Sequence, residues 1–281
     1  MKALRINEEA FSKLYPLIEQ RQWLGKKYSE LLELYNSCDS LLQQTIVLHL
    51  LKEFKHVNSA EIDELGKKIA EQIEENWEFN PADTIITAIS DEIDVDGSQA
   101  FLQNLKNKFS NENWTSSNFL NKIGKAVHQV KDGNNLVLFD DYIGSGETII
   151  RKYDWCRAKL NNLKKTNVNL RVISYAIMSQ ANEKFLEHDI ECYSPLILKK
   201  GISDYFESDE AENYKREITM LENKFEPNCN NMHIAAYSLG YAQSEAIFTF
   251  ESYNIPDNVF PIFWWPEIKP RTKRRLLFKR L

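Results

Sequence analysis

From residue 8 to residue 76, apolar residues return every three or four positions, the period of helices that bury one stripe. Leu41, Leu42, Val47, Leu48, Leu51 and Phe54 fit the buried side of one such helix. Ser59 followed by Glu61 opens another, amphipathic to Ile73. Nothing in this stretch is chemically distinctive, so it predicts a helical layer that packs or holds a partner. After Pro81 the period changes. The runs DTIITAI (83–89), NLVLF (135–139), LRVISYAI (170–177) and AIFTFE (246–251) are short, apolar and β-branched, and predict strands. Helical patterns lie between them at about 98–109, 119–130 and 147–163, and a long acidic helix is expected around 203–225.

Strands alternating with helices of this length predict an α/β fold, a mostly parallel sheet with helices on both faces, preceded by an all-helical N-terminal region. The expected division is a helical region at 1–80, the α/β domain at 81–268 and a basic tail at 269–281. In such sheets ligands bind beyond the carboxyl ends of the strands. The turn after Phe139 is therefore where a ligand belongs.

Composition adds two limits. Apolar residues make up 43% and charged residues 27%, which excludes wholesale disorder. No run of eighteen apolar residues occurs, and the opening MKALRINEEAF has no apolar signal core, so a cytoplasmic protein with no membrane association is expected. Cys38, Cys156, Cys192 and Cys229 are scattered without a CxxC, as reduced structural thiols would be. Charge is uneven. The last stretch, KPRTKRRLLFKRL, carries seven basic residues and no acid, leaving 28 basic against 41 acidic residues elsewhere. A body that acidic is a poor general nucleic-acid binder, so nucleic acid is a partner only through the basic tail. The tail's Leu276, Leu277 and Phe278 suit either an amphipathic docking segment or packing against the domain.

The densest chemical signal is LVLFDDYIGSGETII (136–150). An apolar strand ends in adjacent carboxylates, and a glycine turn then opens a helix. Glycines let backbone N–H groups converge on an anion, and the helix amino end adds partial positive charge. Ser145 and Thr148 hydroxyls can donate to the same phosphate. Asp140 and Asp141 cannot bind phosphate, but suit the two hydroxyls of a ribose or the water shell of Mg²⁺. The pattern reads as ribose plus 5-phosphate. No GK[ST] follows, which excludes a P-loop, and the dinucleotide glycine pattern does not fit.

At these residues the chain resembles the type I phosphoribosyltransferases. Asp140, Asp141, Tyr142, Ile143, Gly144, Ser145, Gly146, Glu147 and Thr148 fill their nine-residue signature in register, with Ser145 where threonine is usual. The resemblance implies that the acids contact the ribose hydroxyls of 5-phosphoribosyl 1-diphosphate (PRPP), that the turn holds the 5-phosphate, and that Mg²⁺ is the cofactor. A more particular resemblance, to the phosphoribosyltransferase-like (PRTase-CE) domains of bacterial conflict and antiviral defence systems, rests on GISDYF (201–206) and on GYAQSEAIFTFESYNIPDNVFPIFWW (240–265). It implies a nucleotide-directed effector, with a protein of the same defence operon as partner.

Three departures qualify the activity. The stretch matching the family's pyrophosphate loop, SDEIDVDGSQ (90–99), offers Asp96, Gly97 and Ser98 at a helix start, but its four acids would repel pyrophosphate without Mg²⁺. No lid precedes the acid pair; Lys122, Lys125 and Lys131 are the nearest cations in sequence. No residue stands out as acid or base for a nucleobase. Phe260, Phe263, Trp264 and Trp265, with Asn254 and Asn258, form either a hood over a base or a core cluster fixed by prolines. The first expectation is a phosphoribosyltransferase-type glycosyltransferase. The alternative is a non-catalytic nucleotide sensor or regulatory partner protein on the same fold; a nucleic-acid-binding regulator rests on the tail alone.

Overall fold

The helical period of the amino-terminal stretch is realised as α1 (Glu8–Gln20), α2 (Tyr28–Asn36) and α3 (Leu41–Glu53). The computed structural model describes residues 8–89 and 97–280. Ser40 caps α3, its Oγ accepting from the Gln43 amide at 3.0 Å. The buried face is Gln43, Ile46, Val47, Leu50 and Leu51, whereas Leu41 and Leu42 are exposed, so the expected stripe is rotated. A polar residue leads that face because Gln43 Oε1 accepts the Asp39 amide at 2.8 Å, which offsets its burial. The helical run is then broken by a short strand, β1 (Lys55–Val57), which the period did not announce.

Helix α4 (Ser59–Glu71) begins one residue after its cap, Asn58. Asn58 Oδ1 accepts the Ala60 and Glu61 amides, and Glu61 Oε2 accepts the Asn58 amide, a reciprocal capping box. From there strands and helices alternate as β2 (Thr84–Ala88), α5 (Gly97–Leu105), β3 (Phe119–Leu120), α6 (Ile123–Gln129), β4 (Asn135–Ile143), α7 (Glu147–Asn162), β5 (Asn169–Met178), α8 (Ser179–Glu187), β6 (Cys192–Tyr193) and β7 (Ile197–Leu198). The sheet runs β3-β2-β4-β5-β6, with β7 also pairing with β5, and every pairing is parallel. The two long central strands read as continuous apolar runs because both of their faces are covered. Leu136, Leu138, Leu170 and Val172 pack with Val127 of α6 and with Ile149, Cys156 and Leu160 of α7. Phe139 and Phe101 both meet Tyr175 edge-on, at 5.9 and 4.9 Å, and so bring α5 to the sheet.

The chain continues through α9 (Ser208–Glu222), β8 (Asn228–Cys229), β9 (Met232–His233), β10 (Phe248–Phe250), β11 (Glu267–Ile268) and β12 (Thr272–Lys273). Strand β10, expected alongside the others, pairs instead with β1 in a parallel two-stranded sheet of its own, Lys55 opposite Phe248. Compactness follows that pairing. Met1–Val57 and Lys199–Leu281 form one unit and Asn58–Leu198 the other, dividing the chain differently from the composition boundaries at 80 and 268. The basic tail is part of the first unit. Leu277 is buried, Phe278 stacks on Phe54 at 4.9 Å, and Arg280 reaches Asp257 Oδ2 and the Ile255 carbonyl. Among the described residues, no helix is long and apolar enough to cross a membrane.

Candidate functional site

The acid pair is carried by β4 itself, which runs on through Asp140, Asp141 and Tyr142 to Ile143. Its neighbour β2 ends at Ala88, opposite Phe139, so Asp140 is the first residue of β4 beyond that pairing. On the other side pairing continues, Asp140 against Ser174 and Ile143 against Ile177. The carboxylates thus stand at the carboxyl edge of the sheet with one flank closed by β5. Asp140, Asp141 and Tyr142 are half-buried, and the Asp140 side chain accepts the Asp141 amide at 3.1 Å.

Three residues separate Asp140 from the turn, in which Gly144 and Gly146 are buried and Ser145 half-buried. Gly146 caps α7 with φ +80° and ψ −12°, a left-handed conformation that glycine adopts without a steric penalty. Space enforces the same choice. A β-carbon there would lie 3.1 Å from the Phe185 ring and 3.2 Å from the Ala181 methyl, both on α8. Intrahelical bonding starts with the Ile150 amide donating to the Gly146 carbonyl at 3.0 Å. The preceding amides of the first turn have no intrahelical acceptor, as at every helix start. Glu147 N lies 3.4 Å from Ser145 Oγ. Glu147 and Thr148 side chains are exposed.

Of the second loop, Gly97 and Ser98 open α5, while Asp96 and the other acids of 90–96 lie outside the described residues. The fold brings this helix start to the acid pair: a β-carbon on Gly97 would sit 2.9 Å from Asp141 Oδ2. The contact lays a carboxylate against the amino end of α5, where the helix dipole favours negative charge. The stretch between the two loops is filled by α5, β3 and α6, so Lys125 is a helical residue and Lys122 the residue before that helix.

Other residues singled out in the sequence have structural occupations. Phe260, Phe263, Trp264 and Trp265 are fully buried, and the two indole N–H groups donate to the Val259 and Glu226 carbonyls, each at 2.8 Å. Asn258 Nδ2 donates to Ser244 Oγ and to the Tyr241 carbonyl. Rings so enclosed have no open face for a base, so the cluster is core and the hood expectation is withdrawn. The segments 201–206 and 240–265 are joined by buried Glu245, whose carboxylate accepts the Ile202 and Ser203 amides and the Ser203 hydroxyl at 2.6–3.0 Å. All four cysteines are free, and burial pushes the Cys38, Cys156 and Cys192 thiols up to about 12, far from nucleophilic use.

The sequence pattern missed Lys184. It lies on α8, and its Nζ donates to the Ser145 carbonyl at 3.2 Å. No local signal marks it, because it is brought to the turn by α8 folding back after β5. Among the described residues no group of three or more His, Cys, Asp or Glu side chains could hold a metal ion by itself.

The profile of the family described as PRTase-CE matches residues 36–280. No curated protein matches the chain. Similar solved structures include a hypoxanthine-guanine-xanthine phosphoribosyltransferase, 17% identical over 52% of this chain and 80% of its own, with a TM-score of 0.34. Another is an orotate phosphoribosyltransferase from Aeropyrum pernix, 10% identical over 48% of this chain and 69% of its own, TM-score 0.30. A third is a hypothetical protein from Neisseria gonorrhoeae with bound ppGpp, 14% identical over 58% of this chain and 95% of its own, TM-score 0.35.

Proposed function

The chain belongs to the PRTase-CE family, and on that premise we propose that residues 140–148 bind the ribose 5-phosphate part of PRPP or of a related ribosyl-phosphate nucleotide. The observation that carries the reading is the sequence of groups along one turn. Two carboxylates end a parallel strand, a left-handed glycine follows, and the first amides of α7 come next without intrahelical acceptors. Amides and dipole suit a phosphate, and the Ser145 and Thr148 hydroxyls can add to it. Asp140 and Asp141, five and four residues ahead of Ser145, are acceptors only when ionised, which suits ribose hydroxyls and excludes phosphate.

As a phosphoribosyl-transfer enzyme, the chain would use these acids to fix the ribose and to favour the positive character that grows at the anomeric carbon as the leaving group departs. The backbone amides of Gly144, Ser145, Gly146, Glu147 and Thr148 would anchor the 5-phosphate, with Tyr142 beside the approach; Ile143, expected to line it too, is 2% exposed and packs in the hydrophobic core beneath the turn. Asp140 and Asp141 are the residues that would hold Mg²⁺, a cation usually bound by one or two carboxylates plus substrate phosphates. It would neutralise the leaving diphosphate near Asp96, Gly97 and Ser98. The setting we propose is a nucleotide-directed effector of bacterial antiviral defence, acting with a protein partner.

A second reading, a nucleotide sensor without turnover, is favoured by one contact. Asp141 already lies beside Gly97, which would give its carboxylate a structural task besides the ribose contact. Calorimetry with PRPP, ribose 5-phosphate and nucleoside monophosphates, with and without Mg²⁺, tests binding. Asp140→Asn with Asp141→Asn should remain folded and lose that binding; wild-type affinity in the folded double variant would sink the assignment. Release of diphosphate from PRPP by the wild type separates the enzyme from the sensor.

A further inference from the structure

A phosphate turn that carries its own carboxylate has an electrostatic problem. Glu147 is the first residue of α7 and competes, as an anion, for the same amides and the same helix dipole that a phosphate would use. The structure supplies a cation beside it from a different element. Lys184 Nζ donates to the Ser145 carbonyl at 3.2 Å and stands 4.0 Å from Glu147 Oε1.

The lysine is held there by packing. Lys184 and Phe185 lie three and four residues after Ala181, the spacings that bring helix side chains to one side. Ala181 and Phe185 are buried and lie directly behind Gly146. Because those two side chains fix α8 against the back of the turn, Lys184 reaches Ser145 and Glu147 together. Its side chain is 40% exposed and that of Glu147 58%, so the pair by itself adds little to folding stability.

We propose that Lys184 is a positioning residue of the phosphate turn. Its ammonium holds the Ser145 carbonyl away from the anion and draws the Glu147 carboxylate off the α7 amides, so that a phosphate meets them without a competing negative charge. The inference rests on the ribosyl-phosphate reading above and adds to it a residue outside the family signature. It also accounts for why an acid is tolerated at position 147. A purely structural role exists as an alternative, since a lysine in the last turn of α8 complements that helix's dipole. The two roles differ in what they do to phosphate affinity.

The test is calorimetric binding of ribose 5-phosphate to the full chain at about 0.05 M salt, where surface charge is weakly screened. Lys184→Met should lower affinity about three- to fivefold, and Lys184→Arg should stay within about twofold of wild type, the scale expected for exposed charge pairs. Adding Glu147→Gln to Lys184→Met should bring affinity back to within about twofold of wild type, because the charge that Lys184 offsets is then gone. Near-ultraviolet circular dichroism of each variant checks the fold. Wild-type affinity in Lys184→Met overturns the inference and leaves the ribosyl-phosphate reading standing. A double variant as weak as Lys184→Met also overturns it, since the lysine would then be a prop and not a charge. A wild-type protein that binds no ribose 5-phosphate overturns the ribosyl-phosphate reading and this inference with it.

Discussion

The carboxylate of Asp141 fills the space beside Gly97, with Oδ2 2.9 Å from where a β-carbon on that residue would be. Two segments that are separate loops in the sequence therefore meet, one at the end of β4 and one at the start of α5. Gly97→Ala should push the Asp141 side chain aside. Alanine at a helix start carries no propensity penalty, so stability should change by less than about 1 kcal/mol. Ribose 5-phosphate affinity should fall at least about threefold, while inorganic phosphate, which needs only the amides, should bind as before. Parallel titrations with the two ligands check this, and an equal loss for both would show that Asp141 does not read the ribose.

Gly146 and Gly133 give a matched pair for the turn. Both are left-handed, at φ +80° and +83°, but a β-carbon on Gly133 would meet nothing within 4 Å. Gly133→Ala should cost about 1 kcal/mol from backbone strain alone. Gly146→Ala should cost about 2–3 kcal/mol, since Phe185 and Ala181 must also give way. Urea unfolding of the two variants measures the difference, and equal costs would mean that α8 does not press on the turn.

The carboxyl-terminal cations sit on a packed segment. Besides Leu277 and Phe278, Arg274 donates to the Ile262 carbonyl at 2.7 Å, and the Arg275 amide donates to Glu33 Oε1 at 3.0 Å. Leu277→Ala should lower stability by about 2–4 kcal/mol. Replacing exposed Lys273 and Lys279 by glutamine should cost less than about 0.5 kcal/mol. Thermal unfolding decides between them; a tail that serves only to dock nucleic acid would lose no stability in either variant.

Glu222 makes stability depend on pH in the direction opposite to most acids. It is 3% exposed, accepts the Ser238 hydroxyl at 2.6 Å and the Leu239 amide at 3.2 Å, and burial pushes its carboxyl from 4.5 up to about 7. Between those values the folded chain keeps a proton that the unfolded chain has released. The contribution is therefore complete below pH 4.5 and is lost as pH rises through about 7, by about 3 kcal/mol at most. Glu222→Gln should flatten this slope and be more stable than wild type above pH 7. Unfolding curves for both proteins across this range test it, and a glutamine variant that keeps the wild-type slope would assign the dependence elsewhere.

What could be read along the chain is what short-range physics fixes. The β-branched runs gave β2, β4 and β5 in place, because a strand covered on both faces must be apolar throughout. Asp140, Asp141 and the turn to Gly146 stood out because glycine and adjacent acids have few other uses at the junction of a strand and a helix. The parallel sheet with flanking helices followed from the alternation. One local reading went astray at α3, where the Ser40 cap and the Gln43–Asp39 hydrogen bond set a buried face that hydrophobicity alone turns toward Leu41 and Leu42.

Tertiary structure decided whatever depends on partners distant in the chain. The pairing of β1 with β10 draws the amino-terminal helices into one unit with Lys199–Leu281, and no feature near Lys55 announces Phe248. Burial turned Phe260, Phe263, Trp264 and Trp265 into core, since the same aromatic run serves a pocket or an interior equally well until its neighbours are known. Gly97 meeting Asp141, and Lys184 meeting Ser145, are likewise long-range contacts. A sequence pattern states which groups are present at a spacing; which of them share a site depends on chain closure and packing, and these have no local signature.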